Sequence, residues 1–316
     1  MTGYIVRRIL ALVPVLLIVG VVVFSLVHLT PGDPTSAMLG REATIEQQQA
    51  LREQLGLNKP LLQQFAEWSL GVLRLDFGES LFIGKPVTEA LLERAEPTGL
   101  LTLYSLIFAV LLAVPSGVIA AMRPNSLLDR LLMVTSISGA AIPSFFFGIL
   151  LMLFFAVRLG WLPSGGYADV SNGFWQHFRY MIMPSIALGF SAAGLLARII
   201  RSTMLGVLNQ EYIRTAYAKG LEERQVVTRH ALRNAMIPAM TVIGIMLANM
   251  LGGAVVIETV FNIPGMGRLL VQSVVRRDFP VVQAAVLGVA VIEVLVMLMI
   301  DILYVFVDPR IRYGGE

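Results

Sequence analysis

The sequence predicts an all-α membrane protein of six transmembrane helices with both termini in the cytoplasm. Three observations carry this expectation. Of 316 residues, 56% are hydrophobic and only 14% charged, whereas a soluble domain is about 25% charged. The apolar residues are gathered into six long blocks. Lys and Arg are concentrated in alternate gaps between those blocks.

The blocks match the length of a membrane crossing, roughly 20 mostly apolar residues. Residues 9–29, 99–122, 131–157, 181–197 and 235–257 contain no Lys, Arg, Asp or Glu, and residues 279–300 contain only Glu293. Arg7 and Arg8 precede the first block. That block is long and no small-residue cleavage pattern follows it, so it reads as an uncleaved span. With the N-terminus inside, the inner segments 1–8, 123–130, 198–236 and 308–316 carry thirteen Lys and Arg, and the two short outer loops, 158–180 and 258–279, carry five. Short loops decide orientation, and the bias places both ends in the cytoplasm. The basic residues are thus topology signals, and a nucleic-acid partner is not expected. There is no cysteine, so neither a disulfide framework nor thiol chemistry is expected.

The domain plan follows in order. Residues 1–29 are a short cytoplasmic tail and the first span, and 30–97 an extracytoplasmic helical segment. Residues 98–307 are a five-helix core, with a cytoplasmic loop at 204–236 and an outer loop at 258–279. Residues 308–316 are a cytoplasmic tail. Within 30–97, Thr44 and Gln47 have capping-box spacing and Gly56 suits a helix stop, predicting a helix over 45–55. A second helix begins after Pro60 with Leu61, Phe65, Trp68 and Val72 on one face. Pro86 opens a third, short one.

Small residues recur at every fourth position in three spans: Ser136, Ala140, Ser144, Gly148; Gly189, Ala193, Ala197; and Gly244, Ala248, Gly252. Such stripes allow close helix approach in lipid, and both plain packing and the lining of a passage are compatible with them. Pro143, Pro184 and Pro238 are expected as kinks within spans. Asn249 and Glu293 are polar groups in mid-span and so pathway candidates. Asp301 lies near the inner end of span six. Arg198 and Arg201, at the inner end of span four, suit interfacial anchoring.

The sequence carries none of the common catalytic motifs. The phosphate-loop pattern G-x4-G-K-[ST] is absent. Its nearest approach, residues 78–86, has glycines one position too far apart and Pro86 in place of the hydroxyl residue. H-E-x-x-H and G-x-S-x-G do not occur. Glu293 and Asp301 are eight residues apart on one helix, roughly 12 Å, too far to share a proton. The chain is not expected to be an enzyme or to hold a metal or cofactor.

Residues 211–234, E-Y-I-R-T-A-Y-A-K-G-L-E-E-R-Q-V-V-T-R-H-A-L-R-N, contain eight charges. Embedding them would cost on the order of 20 kcal/mol, so the segment lies outside the bilayer. Asn209 can cap a helix starting at Gln210, with Ile213, Ala216, Tyr217, Gly220 and Leu221 on an apolar face. Gly220 suits a break before a second helix begun by Glu222 and Glu223, whose inner face is Val227, His230, Ala231 and Asn234. A helix–Gly–helix elbow with one apolar side is a surface for docking a cytoplasmic partner.

This elbow resembles the cytoplasmic "EAA" loop of prokaryotic ABC importer permeases. Its form, E-Y-I-R-T-A-Y-A-K-G followed by R-H-A-L-R-N-A-x-I-P, is similar to the dipeptide/oligopeptide/nickel branch. So are L-T-P-G-D-P (29–34), L-R-E-Q-L-G-L-N-K-P-L (51–61), D-F-G-E-S-L (76–81), L-G-W-L-P-S-G-G-Y (159–167), E-T-V-F-N-I-P-G-M-G-R-L-L (258–270), R-D-F-P-V-V-Q (277–283) and D-P-R-I-R-Y-G (308–314). The elbow departs from the general pattern at Arg214-Thr215, with only Ala216 kept, and at residues 230–233, where I-x-L-P is replaced. Both departures bear on the subgroup.

The resemblance implies the type I importer permease (MetI-like) fold in the prokaryotic inner membrane. It implies that the chain forms, with a second homologous permease, a pathway for di- or oligopeptides. An extracytoplasmic binding protein would deliver the cargo. Two ABC ATPase subunits, which hold the ATP and Mg²⁺, would grip the elbow through Glu211, Tyr212, Arg214, Thr215, Ala216, Lys219 and Gly220, and their closure would drive alternating access. Peptides, nickel chelates and glutathione remain open as cargo. An ion-driven secondary transporter, which would want broken half-helices at mid-membrane, and a membrane scaffold are the rival readings.

Overall fold

A computed structural model describes residues 2–29, 43–54, 56–80 and 82–307, together with Thr35 and Leu39. The tail 308–316 lies outside the described residues. The chain divides into two compact units: residues 1–97 with 264–294, and residues 98–263 with the chain from 295 onward. No sheet occurs among the described residues. Among the described residues five helices are long and apolar enough to cross a membrane, and one bent helix pair passes the same test when taken together.

The first unit contains helices α1 (Thr2–Leu29), α2 (Ile45–Gln54) and α3 (Leu61–Leu73), the start of α4 (Val87–Met122), α10 (Met266–Arg276), and α11 (Phe279–Val307) as far as residue 294. Helix α2 begins with the expected reciprocal capping box. The Gln47 N–H donates to Thr44 Oγ1 (3.2 Å) and the Thr44 N–H to Gln47 Oε1 (3.0 Å). Gly56, at φ +67°, follows its end, a conformation that costs glycine little. On α3, Phe65 and Trp68 meet Phe24 of α1 with ring centroids 5.2 and 5.6 Å apart. Leu61, expected on that face, is exposed. Pro86 does open a helix, but α4 is not short. It continues for 36 residues into the second span with Pro97 and Pro115 inside it, prolines of a kind that membrane helices tolerate.

Two of the sequence blocks meet in this unit. Asp278, only 1% exposed, accepts a hydrogen bond from Ser80 Oγ at 2.5 Å, and Ser80 Oγ accepts from the N–H groups of Phe82 (3.3 Å) and Ile83 (3.0 Å). Burial holds the Asp278 carboxyl above the usual carboxylate range, against the lowering effect of the Ser80 hydrogen bond. A raised folded-state pKa stabilises the fold fully below the unfolded carboxylate value, about 3.9. That contribution is lost as pH rises through the folded value. Asp278→Asn is expected to remove this part of the pH slope in thermal unfolding. An unchanged slope would show that the Asp278 carboxyl binds its proton equally in the folded and unfolded states.

The second unit is built around α7 (Phe174–Leu208), which buries fourteen residues including Met181, Leu196, Ile200 and Met204. Small residues let neighbouring backbones come close. A β-carbon at Gly189 would stand 2.5 Å from the Ser105 carbonyl of α4, and one at Gly194 would strike the Ser136 carbonyl of α5 (Leu127–Ala141). The stripe on span four is therefore packing. Ala140 is exposed and Gly139 buried instead, so the predicted spacing of four on span three does not hold.

Pro143 is more than a kink. Helix α5 ends at Ala141, α6 (Ser144–Leu151) starts beyond the proline, and α6 continues as a π-helix over Met152–Arg158. The two arms meet at 104°. Proline forces the preceding residue out of the helical region, and Ile142 is indeed extended, φ −83° and ψ 124°. Pro184 and Pro238 lie inside continuous helices.

A partly buried ion pair ties α5 to α7. Arg201 grips Asp129 through Nε–Oδ1 at 2.6 Å and Nη2–Oδ2 at 2.7 Å. Arg201 is thus a partner in a salt bridge and not only the expected interfacial anchor, whereas Arg198 is exposed.

Candidate coupling surface

Helix α7 runs past the last apolar residues of its span to Leu208, where Asn209 ends it. The Asn209 side chain donates to the Leu205 carbonyl at 2.9 Å, so it closes α7 and does not cap the next helix. The residue before α8 (Glu211–Ala218) is Gln210, extended at φ −77° and ψ 148°, without a side-chain cap. Glu211, one residue later, favours the helix through its charge near the N-terminus.

Helix α8 divides cleanly. Ile213 and Ala216 are 1% and 6% exposed and join the unit's main core with Val226, Val227, Ala231 and Ala235. Glu211, Tyr212, Arg214, Thr215, Tyr217, Lys219 and Gly220 are exposed. Of the apolar stripe predicted as a docking face, Ile213 and Ala216 are taken up by the chain's own core and Leu221 packs against it, while Tyr217 and Gly220 stay exposed. The side left for a partner is the polar one, with Tyr212 and Tyr217 rising from it at 43% and 44% exposure. Of the predicted coupling residues, only Ala216 is withdrawn from that surface. Arg214 pairs with Glu211 at 3.2 Å, an exposed contact worth little, and Thr215 Oγ1 donates to the Glu211 carbonyl at 3.0 Å.

Gly220 is the bend, as predicted. It sits at φ +79°. Its N–H donates to the Tyr217 carbonyl (2.9 Å) and the Leu221 N–H to the Ala216 carbonyl (3.4 Å), the pair of bonds that closes a helix over a left-handed residue. Glu222 precedes a helical turn at Glu223–Gln225, followed by a π-helix over Val226–Leu232 and then α9 (Arg233–Val260). The extra residue of the π turn rotates the inner face. Val226, Val227, Ala231 and Ala235 are buried, while His230 is half-buried and Asn234 exposed, so the last two leave the face predicted for them. Asn234 has another task. Its Nδ2 donates to Tyr212 Oη (3.0 Å) and to the His230 carbonyl (2.7 Å), tying α8 to the helix that enters span five. A Tyr and an Asn 22 residues apart give no pattern from which this bond could be read in advance.

Asn249 is exposed on α9, on a face with Ile245, Gly252 and Val256. A β-carbon at Gly252 would meet nothing within 4 Å, whereas one at Gly244 would strike Ile300. Glu293 is half-buried on α11 and belongs to the first unit. At the other end of α9, Phe261 fills the space left by Gly148 and Gly165, and its carbonyl accepts the Gly166 N–H at 2.7 Å. Gly165 and Gly166 of the block 159–167 thus pack on Phe261. Buried Glu258 accepts a hydrogen bond from Thr98 Oγ1 at 2.6 Å.

Residues 113–313 match the family of inner membrane components of binding-protein-dependent transport systems, and residues 1–89 match the N-terminal membrane component of such systems. The chain belongs to this family. Over 99% of its length the permease is 46% identical to the glutathione transport system permease protein GsiC of Salmonella paratyphi A, covering all of that protein, and 44% identical to GsiC of Escherichia coli. It is 42% identical, over 98% of its own chain and 99% of the other, to a probable peptide ABC transporter permease of Sinorhizobium fredii. In fold it is similar to the MetNI methionine ABC transporter in inward-facing conformations, with a TM-score of 0.57 and 21% identity over 69% of this chain and 96% of that one. The permease is an ABC importer subunit of the peptide family, with the type I fold, in the cytoplasmic membrane.

Proposed function

We propose that this permease forms, with a second homologous permease, a passage for di- or oligopeptides handed over by an extracytoplasmic binding protein. Two ABC ATPase subunits seat against the polar face of α8, and closure of their dimer on ATP and Mg²⁺ changes which end of the passage is open. The observation that carries this is the elbow itself. Ile213, Ala216, Val226, Val227 and Ala231 are already buried in the chain's own core, so a push on Tyr212, Arg214, Tyr217 or Lys219 reaches the spans without first ordering a loop. The face of α9 with Asn249 and Gly252, uncovered by this chain, suits the second permease and the passage. The names of the relatives, peptide and glutathione permeases, support a peptide cargo.

The test is uptake into proteoliposomes of radiolabelled glutathione and of a radiolabelled dipeptide, with the ATPases and binding protein present. Uptake that requires ATP and the ATPases is expected. Uptake driven by an ion gradient with this chain alone would overturn the proposal in favour of secondary transport.

A further inference from the structure

The Asp129–Arg201 pair lies outside every sequence block that points to the family, and its geometry bears on how movement of α8 spreads. Asp129 is only 3% exposed. Besides the two contacts from Arg201, its Oδ2 accepts the Asn125 N–H at 2.9 Å, and its own N–H donates to Ser126 Oγ at 3.1 Å. Asn125 is held in the left-handed region at φ +63°, and the Ser126 hydroxyl donates to the Arg123 carbonyl at 2.6 Å. The whole turn between α4 and α5 is therefore folded around one carboxylate, and Arg201 of α7 holds that carboxylate with a two-pronged contact.

Arg201 stands seven residues, about two helical turns, before the end of α7 at Leu208, and α8 follows after two residues. Close by, Thr203 Oγ1 lies 3.3 Å from the Ala235 carbonyl of α9. A bidentate Arg–carboxylate contact fixes direction as well as distance, and here the carboxylate side chain is only 4% exposed and the arginine side chain 24%. We infer that Asp129 and Arg201 are positioning residues that make the α4–α5 turn move as one body with the lower half of α7 and with α8. The displacement of the docking helix then reaches spans two and three through this pair. The inference rests on α8 being the ATPase docking helix.

The absence of cysteine in the chain allows spin labels at two introduced positions, Leu128→Cys on α5 and Ala218→Cys, an exposed residue at the end of α8, in the complex with partner permease and ATPases. Distances are measured without nucleotide and with ATP trapped by vanadate. In the otherwise unchanged permease, the 128–218 distance is expected to stay constant between the two states. With Asp129→Asn it should change by about 2 Å or more, or broaden on trapping. Arg201→Lys, which keeps the charge but not the fork, should give an intermediate result and guards against an Asp129→Asn chain that does not fold. A distance that already shifts in the unchanged permease, or one that stays constant in both variants, overturns the inference. A pair that is only a structural staple would lower the melting temperature and leave the trapped distance alone. A third label on the ATPase separates the two readings. If its distance to residue 218 is too long to measure, the docking assignment fails. If it is short while 128–218 behaves alike in all variants, only the clamp fails.

Discussion

Gly194→Val is expected to abolish a stably folded permease. A β-carbon there falls on the Ser136 carbonyl of α5, a backbone atom that cannot swing aside as a side chain could. Overpacking a dense site costs about 1–3 kcal/mol, sometimes more, and a clash with backbone belongs at the upper end. In lipid there is no hydrophobic drive to restore the contact, because helix association depends on close packing itself. Separating α7 from α5 would also pull Arg201 from Asp129 and break their two-pronged contact. The measurement is thermal unfolding in detergent with the yield of monodisperse protein. Gly252→Val is the control, since its β-carbon meets no atom within 4 Å and should leave the isolated chain's stability within about 1 kcal/mol of wild type. Equal stability of the two variants would refute the close approach of α5 and α7.

The second large effect is on transport and not on folding. Gly220→Val places a branched side chain at φ +79°, where left-handed geometry costs an L-residue about 1–2 kcal/mol. No neighbouring atom lies within 4 Å of the added carbon, so the penalty is confined to the backbone of the elbow and the spans should keep their packing. The bend between α8 and the helix entering span five relaxes to another angle, and the polar face turns away from its partner. Uptake is expected to fall at least about tenfold, roughly 1.4 kcal/mol of lost coupling, while ATP hydrolysis by the complex continues. Glu211→Arg should act in the same direction, since it places a cation at the N-terminus of α8 and opposite Arg214. Gly220→Asn, a residue that tolerates the left-handed region, should retain most transport. Wild-type uptake by Gly220→Val at normal expression would count against the docking role of α8.

Several features of this chain are fixed by short-range chemistry and are legible in the order of residues. Apolar runs of bilayer length mark the spans, because a charge inside lipid costs several kcal/mol wherever it falls. The Thr44–Gln47 box, the stop at Gly56 and the bend at Gly220 follow from hydrogen bonds and backbone angles within a few residues. The exposure of Glu211, Arg214 and Lys219 follows from their charge. In the same way the ordered blocks sufficed to point to the permease family.

Tertiary structure decided what those elements face. The stripe of Ile213 and Ala216 could have met a partner or the chain itself, and only the packing of the π turn beneath it shows that it meets the chain. Pro143 could kink a span or break it. The outcome of 104° depends on what the two arms pack against. Asp129 and Arg201 are 72 residues apart, and neither stands out among the basic and acidic residues expected at a membrane surface. Periodicity records which side of a helix avoids water. It carries no information about which distant group will occupy that side, because a buried contact is specified by both partners and by the backbone that brings them together.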